Sequence, residues 1–290
     1  MFNQSTNHVM IQFKQALDEG ISPKQLPGLK KRLAACSINS WEDLDKWHLS
    51  RFATYVKETM AASSAHTLFA VLKSFLGKFE DELPNLPKNW RDILNCKNEL
   101  PMKTYLTAEE VELFGEAYVD SDTERTVRDG FYVSCKTGLR HSDLVKLLPS
   151  NFQPREGGGY FLNYVSKKTR IQSTIPCSEE TKQKVEWLHK HGKEIVSIGY
   201  YNEIVRTLAE RAGIDSEVSV FKAGKELSGP KYKYLSSHSA RISFCTILAD
   251  LRVPILDIAR LAGHKETTTT MRYIANRDVD LPADAMNFLM

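Results

Sequence analysis

One stretch breaks the periodicity of an otherwise helical sequence. "GGGYFLNYV" and "RIQSTIP", residues 157–165 and 170–176, read as strands, and Ile171, Ser173 and Ile175 alternate onto one face of the second. The polar link "SKKT" joins them, which predicts a small antiparallel hairpin. Around it the apolar residues recur at helical spacing. "HVMIQFKQALDEG" stops at Gly20, and "SSAHTLFAVLKSFLGKF" carries Leu68, Leu72, Phe75, Leu76 and Phe79 as a core face. Beyond the hairpin, "YYNEIVRTLAERAG", "HSARISFCTILADL" and "PILDIARLAG" return to helix. The expected class is mainly α, with a small antiparallel β-sheet in the C-terminal part.

With 290 residues, 42% of them hydrophobic, the chain has apolar material for two cored domains. Pro84, Pro87 and Pro101 interrupt any helix between Leu83 and Lys103, so 83–103 is expected to be a linker between a helical unit over 1–82 and a second unit over 104–290. "TAEE" opens the second unit, with Thr107 as a helix cap and Glu110 placed to complete a capping box. A net charge of +3 is compatible with a polyanionic partner without demanding one. Five scattered cysteines with no C-x-x-C pair suggest neither a disulfide framework nor a zinc site. The N-terminus lacks a basic region and nowhere do 18 apolar residues run together, so a cytoplasmic protein with no membrane span is expected.

Four short groups in the second unit carry candidate chemistry. "TGLRHSDL" ends a helix at Gly138, with Arg140 just beyond and Asp143 three residues on; alone, this is ordinary capping beside a solvated arginine. In "SSHSARIS", Ser236 or Ser237 can cap a helix whose first turns hold His238 and Arg241 on one face. Those groups oppose the helix dipole unless an anion sits between them, although a surface salt-bridge pair would fit as well. The hairpin link offers Lys167 and Lys168. Finally, "LAGHKETTTTMRYI" closes a helix at Gly263, projects His264 from the corner, and uses its threonines as a cap before Tyr273.

Two arginines, two histidines, a lysine and a tyrosine, with no acidic metal-binding cluster, fit phosphoryl transfer. A pentacoordinate phosphodiester transition state gathers negative charge, and guanidinium forks match its oxygens. A tyrosine phenolate can attack phosphorus and form a covalent phosphotyrosyl link.

These groups, in this order, resemble the tyrosine recombinases of the phage integrase family over roughly residues 104–280. The resemblance implies a two-domain architecture: a helical, SAM-like core-binding domain that contacts DNA, and an α+β catalytic domain. It also implies that Arg140 and Arg241 hold the scissile phosphate and that Tyr273 is the nucleophile. His238 and His264 would donate hydrogen bonds to the phosphate or handle protons. Lys168 would be the general acid at the departing 5′ oxygen, preferred over Lys167 by its distance from Pro176, and Asp143 would orient its neighbours. Ala262 stands where leucine is commoner before Gly-His, a packing difference. The family's reaction needs neither metal nor nucleotide cofactor. Its partner is double-stranded DNA with inverted half-sites, cut by a homotetramer on two duplexes, and the segment "LPADAMNFLM" would be exchanged between protomers. A Xer-like resolvase, an invertase or a compact element integrase is expected. The rival readings are a type IB topoisomerase and a catalytically silent DNA-binding relative.

Overall fold

The computed structural model describes residues 3–96, 104–192, 197–222 and 225–274, and the expected exchanged tail from Leu281 to Met290 lies outside them. The chain divides into two compact units, the first comprising Met1–Pro101 with Lys222–Lys225 and the second Met102–Phe221 with Glu226–Met290. Among the described residues no helix is long and apolar enough to cross a membrane.

The first unit is built of α1 (Asn3–Gly20), α2 (Leu26–Ala35), α3 (Lys46–Thr59), α4 (Ala62–Leu76) and the short α5 (Trp90–Ile93). Asp45 starts α3 by accepting from the His48 backbone N–H at 2.9 Å. The apolar stripes meet in one core that includes Leu29, Leu33, Leu49, Phe52, Leu72 and Phe75. The expected linker is corrected here. Leu83, Trp90 and Leu94 are buried in the same core, and the Trp90 indole donates to Glu80 Oε1 at 2.9 Å. α4 has already ended at Leu76, before the first of these prolines, and the chain beyond Pro84 and Pro87 still packs.

In the second unit α6 (Ala108–Gly115) carries the Thr107–Glu110 capping box, with both reciprocal bonds formed. The central α7 (Asp122–Thr137) buries residues on nearly every side, including Val127, Phe131 and Tyr132, which makes it the axis on which the unit is built. It ends at Gly138, in the left-handed region at φ +66°, and a Cβ there would lie 2.5 Å from the Phe244 ring. Glycine is thus required twice over, by conformation and by close approach. The one-turn α8 (His141–Leu144) follows.

Next comes a three-stranded antiparallel meander, β1 (Phe152–Pro154), β2 (Tyr160–Val165) and β3 (Gln172–Cys177), with Leu162 paired to both Phe152 and Ile175. The expected hairpin is its β2–β3 half, and Ser173 and Ile175 face the core as the alternation required. β1 is an addition, too short to show a period. After α9 (Glu179–His191) and α10 (Ile198–Arg211), a second hairpin pairs β4 (Glu217–Lys222) with β5 (Lys225–Pro230), also beyond the expected sheet. α11 (Ser237–Asp250), α12 (Ile255–Leu261) and α13 (Thr267–Ile274) complete the described chain. The class is mainly α with small antiparallel sheets.

Candidate active site

The end of α7, the start of α11, the turn after α12 and the helix α13 converge on Arg241. Ser236 opens α11, its backbone N–H donating to Ser239 Oγ at 3.1 Å. Arg241 lies one turn in and has no exposed surface, so it is no member of a surface salt-bridge pair. A buried guanidinium must be satisfied by acceptors. Its Nη1 donates to the Gly138 carbonyl and its Nη2 to the Ala262 carbonyl, both at 2.5 Å, and its Nε donates to His264 Nε2 at 3.2 Å. The glycine cap of α7 and the last turn of α12 therefore serve as fixed acceptors. Of the five N–H groups of an arginine this leaves two, one on each terminal nitrogen, and Arg241 also hydrogen-bonds the Tyr273 phenol.

Arg140 sits differently. It precedes α8 and is half-buried, with Nη1 donating to Ser166 Oγ at 3.0 Å and approaching Asp143 Oδ2 at 3.9 Å. Burial, then the nearby Arg241 charge, press its pKa down. Asp143 is itself buried and accepts from the Ser166 hydroxyl at 3.3 Å and from the Lys167 backbone N–H at 3.1 Å. It thereby ties α8 to the β2–β3 turn.

Gly263, at φ +62°, turns the chain after α12 so that His264 enters the site; a Cβ there would press on Ser173 Oγ at 3.0 Å. His264 is buried, and both its ring nitrogens are engaged: Nε2 by Arg241, Nδ1 by Thr270 Oγ1 at 2.8 Å. Burial, followed by the Arg241 and Arg140 charges, pushes its pKa down to about 3, so at neutral pH the ring is uncharged. The threonines are not a cap ahead of the last helix. The helix starts at Thr267, which makes them its first turn, and Thr270 is fully buried.

Tyr273 packs its ring 5.4 Å from that of His238 and 5.3 Å from that of His264. Its pKa is raised, chiefly by burial, while Arg241 and Arg140 pull against that rise. The resting phenol is therefore protonated at neutral pH and poised beside two positive charges that favour its ionised form.

The structure thus brings Arg140, His238, Arg241, His264 and Tyr273 together. Lys168, like Lys167, is exposed on the turn between β2 and β3. That turn is held against the site, because Thr169 Oγ1 donates to the Gly263 carbonyl at 3.1 Å and Ser173 Oγ to the Arg260 carbonyl at 3.0 Å. Sequence reasoning missed Ser166, Thr169 and Thr270. For Thr270 a signal existed: it lies three residues before Tyr273 and so shares its helix face.

A helical domain with a three-stranded meander and this polar centre has the fold of the tyrosine-type site-specific DNA recombinases. The model of the phage integrase family matches residues 104–279, and the chain belongs to that family. Solved structures agree on the fold. The Tn1549 transposon integrase, in complex with transposon right end DNA, is 18% identical with a TM-score of 0.63, covering 95% of this chain and 98% of that one. A lambda integrase dimer bound to a COC′ core site gives 18% identity and a TM-score of 0.63, with coverages of 95% and 98%. The XerH site-specific recombinase, in a post-cleavage complex with a palindromic difH substrate, is 17% identical with a TM-score of 0.62, covering 87% and 74%. Among curated proteins, none matches this chain in sequence.

Proposed function

We propose that this recombinase cuts and rejoins duplex DNA through a 3′-phosphotyrosyl intermediate on Tyr273, without metal or nucleotide. The observation that carries this reading is the setting of the phenol: hydrogen-bonded by the buried Arg241, within the field of Arg140, and flanked by His238 and His264. The Tyr273 oxygen attacks the scissile phosphorus while its proton passes to His238. The bond from phosphorus to the 5′ oxygen breaks, and Lys168 protonates that oxygen. A 5′ hydroxyl from the partner duplex then attacks the phosphotyrosine and restores the phenol. One phosphodiester is exchanged for another, so no external energy source is consumed.

The two N–H groups of Arg241 not held by Gly138, Ala262 and His264, one of them on the Tyr273 phenol at rest, act with Arg140 to stabilise the nonbridging oxygens as charge accumulates. Without DNA, both ring nitrogens of His264 are engaged, by Arg241 and Thr270. In the resting site it holds Arg241; the resemblance implies a phosphate donor or a proton-handling group at this position. The solved relatives named above are bound to DNA, and the lambda protein is a dimer there. By extension, this chain would act on paired inverted half-sites as four protomers on two duplexes, exchanging the segment from Leu281 to Met290.

The test uses a nicked duplex built on the half-site that the protein selects from a random duplex library. The wild type traps a covalent adduct on a denaturing gel, and Tyr273→Phe abolishes it while keeping duplex binding. An adduct surviving in Tyr273→Phe would place the nucleophile elsewhere. Lys168→Ala should be rescued by sulfur at the bridging 5′ position, since a thiolate leaves without a proton, and Lys167→Ala should need no rescue.

A further inference from the structure

A second concentration of positive charge lies beside the β2–β3 turn, apart from the contacts that converge on Arg241. A cavity of about 460 Å³ opens there between the chain after α8 and the turn, with Tyr164 and Val165 in its wall and Lys146, Lys167 and Arg170 around it. All three cations are exposed, and none is ion-paired among the described residues. Asp143 is the one acid among the described residues that line the cavity. Its carboxylate is already engaged by the Ser166 hydroxyl, the Lys167 backbone N–H and, at 3.9 Å, Arg140. The cavity is therefore ringed by charge of one sign with no counter-charge to spare, the arrangement that attracts an anion.

Arg170 adds an independent sign. Its φ is +60°, in the left-handed region that glycine enters freely and other residues disfavour. The backbone of the turn gives no reason for an arginine, because the bond from the Arg170 N–H to the Ser166 carbonyl, at 2.9 Å, would form equally from glycine. Strain held at an exposed side chain with no ion-pair partner inside the fold points to a partner outside it. A guanidinium fork matches phosphate oxygens, and lysines beside it add point charge.

We propose that this cavity is a second anion subsite, which takes the backbone phosphate of duplex DNA next to the scissile one on the departing strand, with Arg170 as its fork and Lys146 and Lys167 as point charges. The choice of strand follows from the chain: Lys167 and Arg170 stand on either side of Lys168 in the turn, and the 5′ oxygen proposed for Lys168 belongs to that strand. Asp143 couples the two subsites, since it meets Arg140 through Ser166 and holds the Lys167 backbone. Holding this phosphate keeps the released 5′ end near the phosphotyrosine until rejoining.

This assignment rests on the cleavage reading above, but its test reads binding. Half-site duplexes carry one methylphosphonate, neutral and close to phosphate in shape, at each position in turn around the scissile bond. For the full chain, neutralising the phosphate on the 3′ side of the scissile one should weaken binding about fivefold. Arg170→Gly should weaken binding to the unmodified duplex by a like factor and lower the salt slope by about one. At that phosphate alone, the two changes together should cost no more than either one. Lys146→Ala should show the same coupling to a lesser degree. Arg170→Gly should hold or raise the urea midpoint, since relief of the left-handed strain offsets the greater freedom of glycine when unfolded.

Losses that multiply independently at every phosphate would overturn the subsite. So would a titration of the DNA-free chain with inorganic phosphate that shifts the Lys167 and Arg170 amides while no methylphosphonate couples, which would make the cavity a site for a free anion. A chain that traps no adduct defeats the cleavage reading instead, and the coupling still decides the subsite.

Discussion

The two units build their interiors from different materials. Among the residues whose side-chain burial is described, the first unit buries one polar side chain, Ser40, whereas the second buries fourteen, among them Asp129, Asp143, Ser166, Ser243, Arg241, His264 and Thr270. Apolar packing is non-directional and tolerates repacking of similar volume. A buried hydrogen-bond network is directional, and each member fails if its partner moves. Ser243 illustrates this: its hydroxyl accepts from the Leu106 backbone N–H and donates to the Ser239 carbonyl, both at 2.8 Å, joining the start of the second unit to α11. The first unit is specified by volume and the second by angle. Chemistry that needs fixed donors belongs in the second.

The sharpest way to break this contrast is Arg241→Lys, which preserves charge but not the fork. Cleavage of the nicked duplex should fall by roughly two powers of ten or more, because one ammonium cannot reach two carbonyls, a histidine and a phosphate together. A near-normal rate would show that charge alone suffices and that angle does not matter. In the first unit, Leu49→Ala should lower stability by about 2–5 kcal/mol in urea unfolding, with cleavage per folded molecule unchanged. A cleavage defect without lost stability would show that the apolar core also sets geometry.

A smaller effect sharpens the comparison through pH. The folded pKa of His264 is about 3, below its unfolded value of about 6.5, so between those values the unfolded chain holds the extra proton. Its contribution is complete above about pH 6.5 and is lost as pH falls toward 3, at up to about 1.4 kcal/mol per pH unit. Urea midpoints should show this slope, and His264→Gln should flatten it; an unchanged slope would mean that other groups carry it. The smallest effect is that of Ser166→Ala. Arg140 loses its hydroxyl partner but keeps the Asp143 carboxylate, so adduct formation should slow by about fivefold, near 1 kcal/mol, and a hundredfold loss would make Arg140 as geometry-dependent as Arg241.

Legibility in the sequence follows the same divide. The stripe from Leu68 to Phe79 and the Thr107–Glu110 box were readable because their causes are local, a helical period and a fixed spacing. The ordered groups around Arg140, Arg241, His264 and Tyr273 were readable as a set. The burial of Arg241 was not, since its acceptors lie 103 and 21 residues away and an arginine beside serines looks like surface. Trp90 and Leu94 were hidden by neighbouring prolines, which report where a helix stops and say nothing about burial. The strand β1 contains a proline in its three residues, and β4 shows only the brief alternation of Val218 and Val220. Thr270 stood in a run of identical residues that only the helix face distinguishes.

The β2–β3 turn has a consequence for rate. Its backbone is fastened by Ser166 N to Ile171 O at 2.9 Å, Arg170 N to Ser166 O at 2.9 Å, Lys167 N to Asp143 and Thr169 Oγ1 to Gly263 O. For the acid role proposed for Lys168, motion is then confined to its own side chain. An ammonium searching a sphere of roughly 6 Å radius is present at an effective concentration on the order of 1 M, whereas a short flexible linker holds its cargo nearer the millimolar range. The fastenings of this turn thus multiply how often the proton donor meets the leaving oxygen.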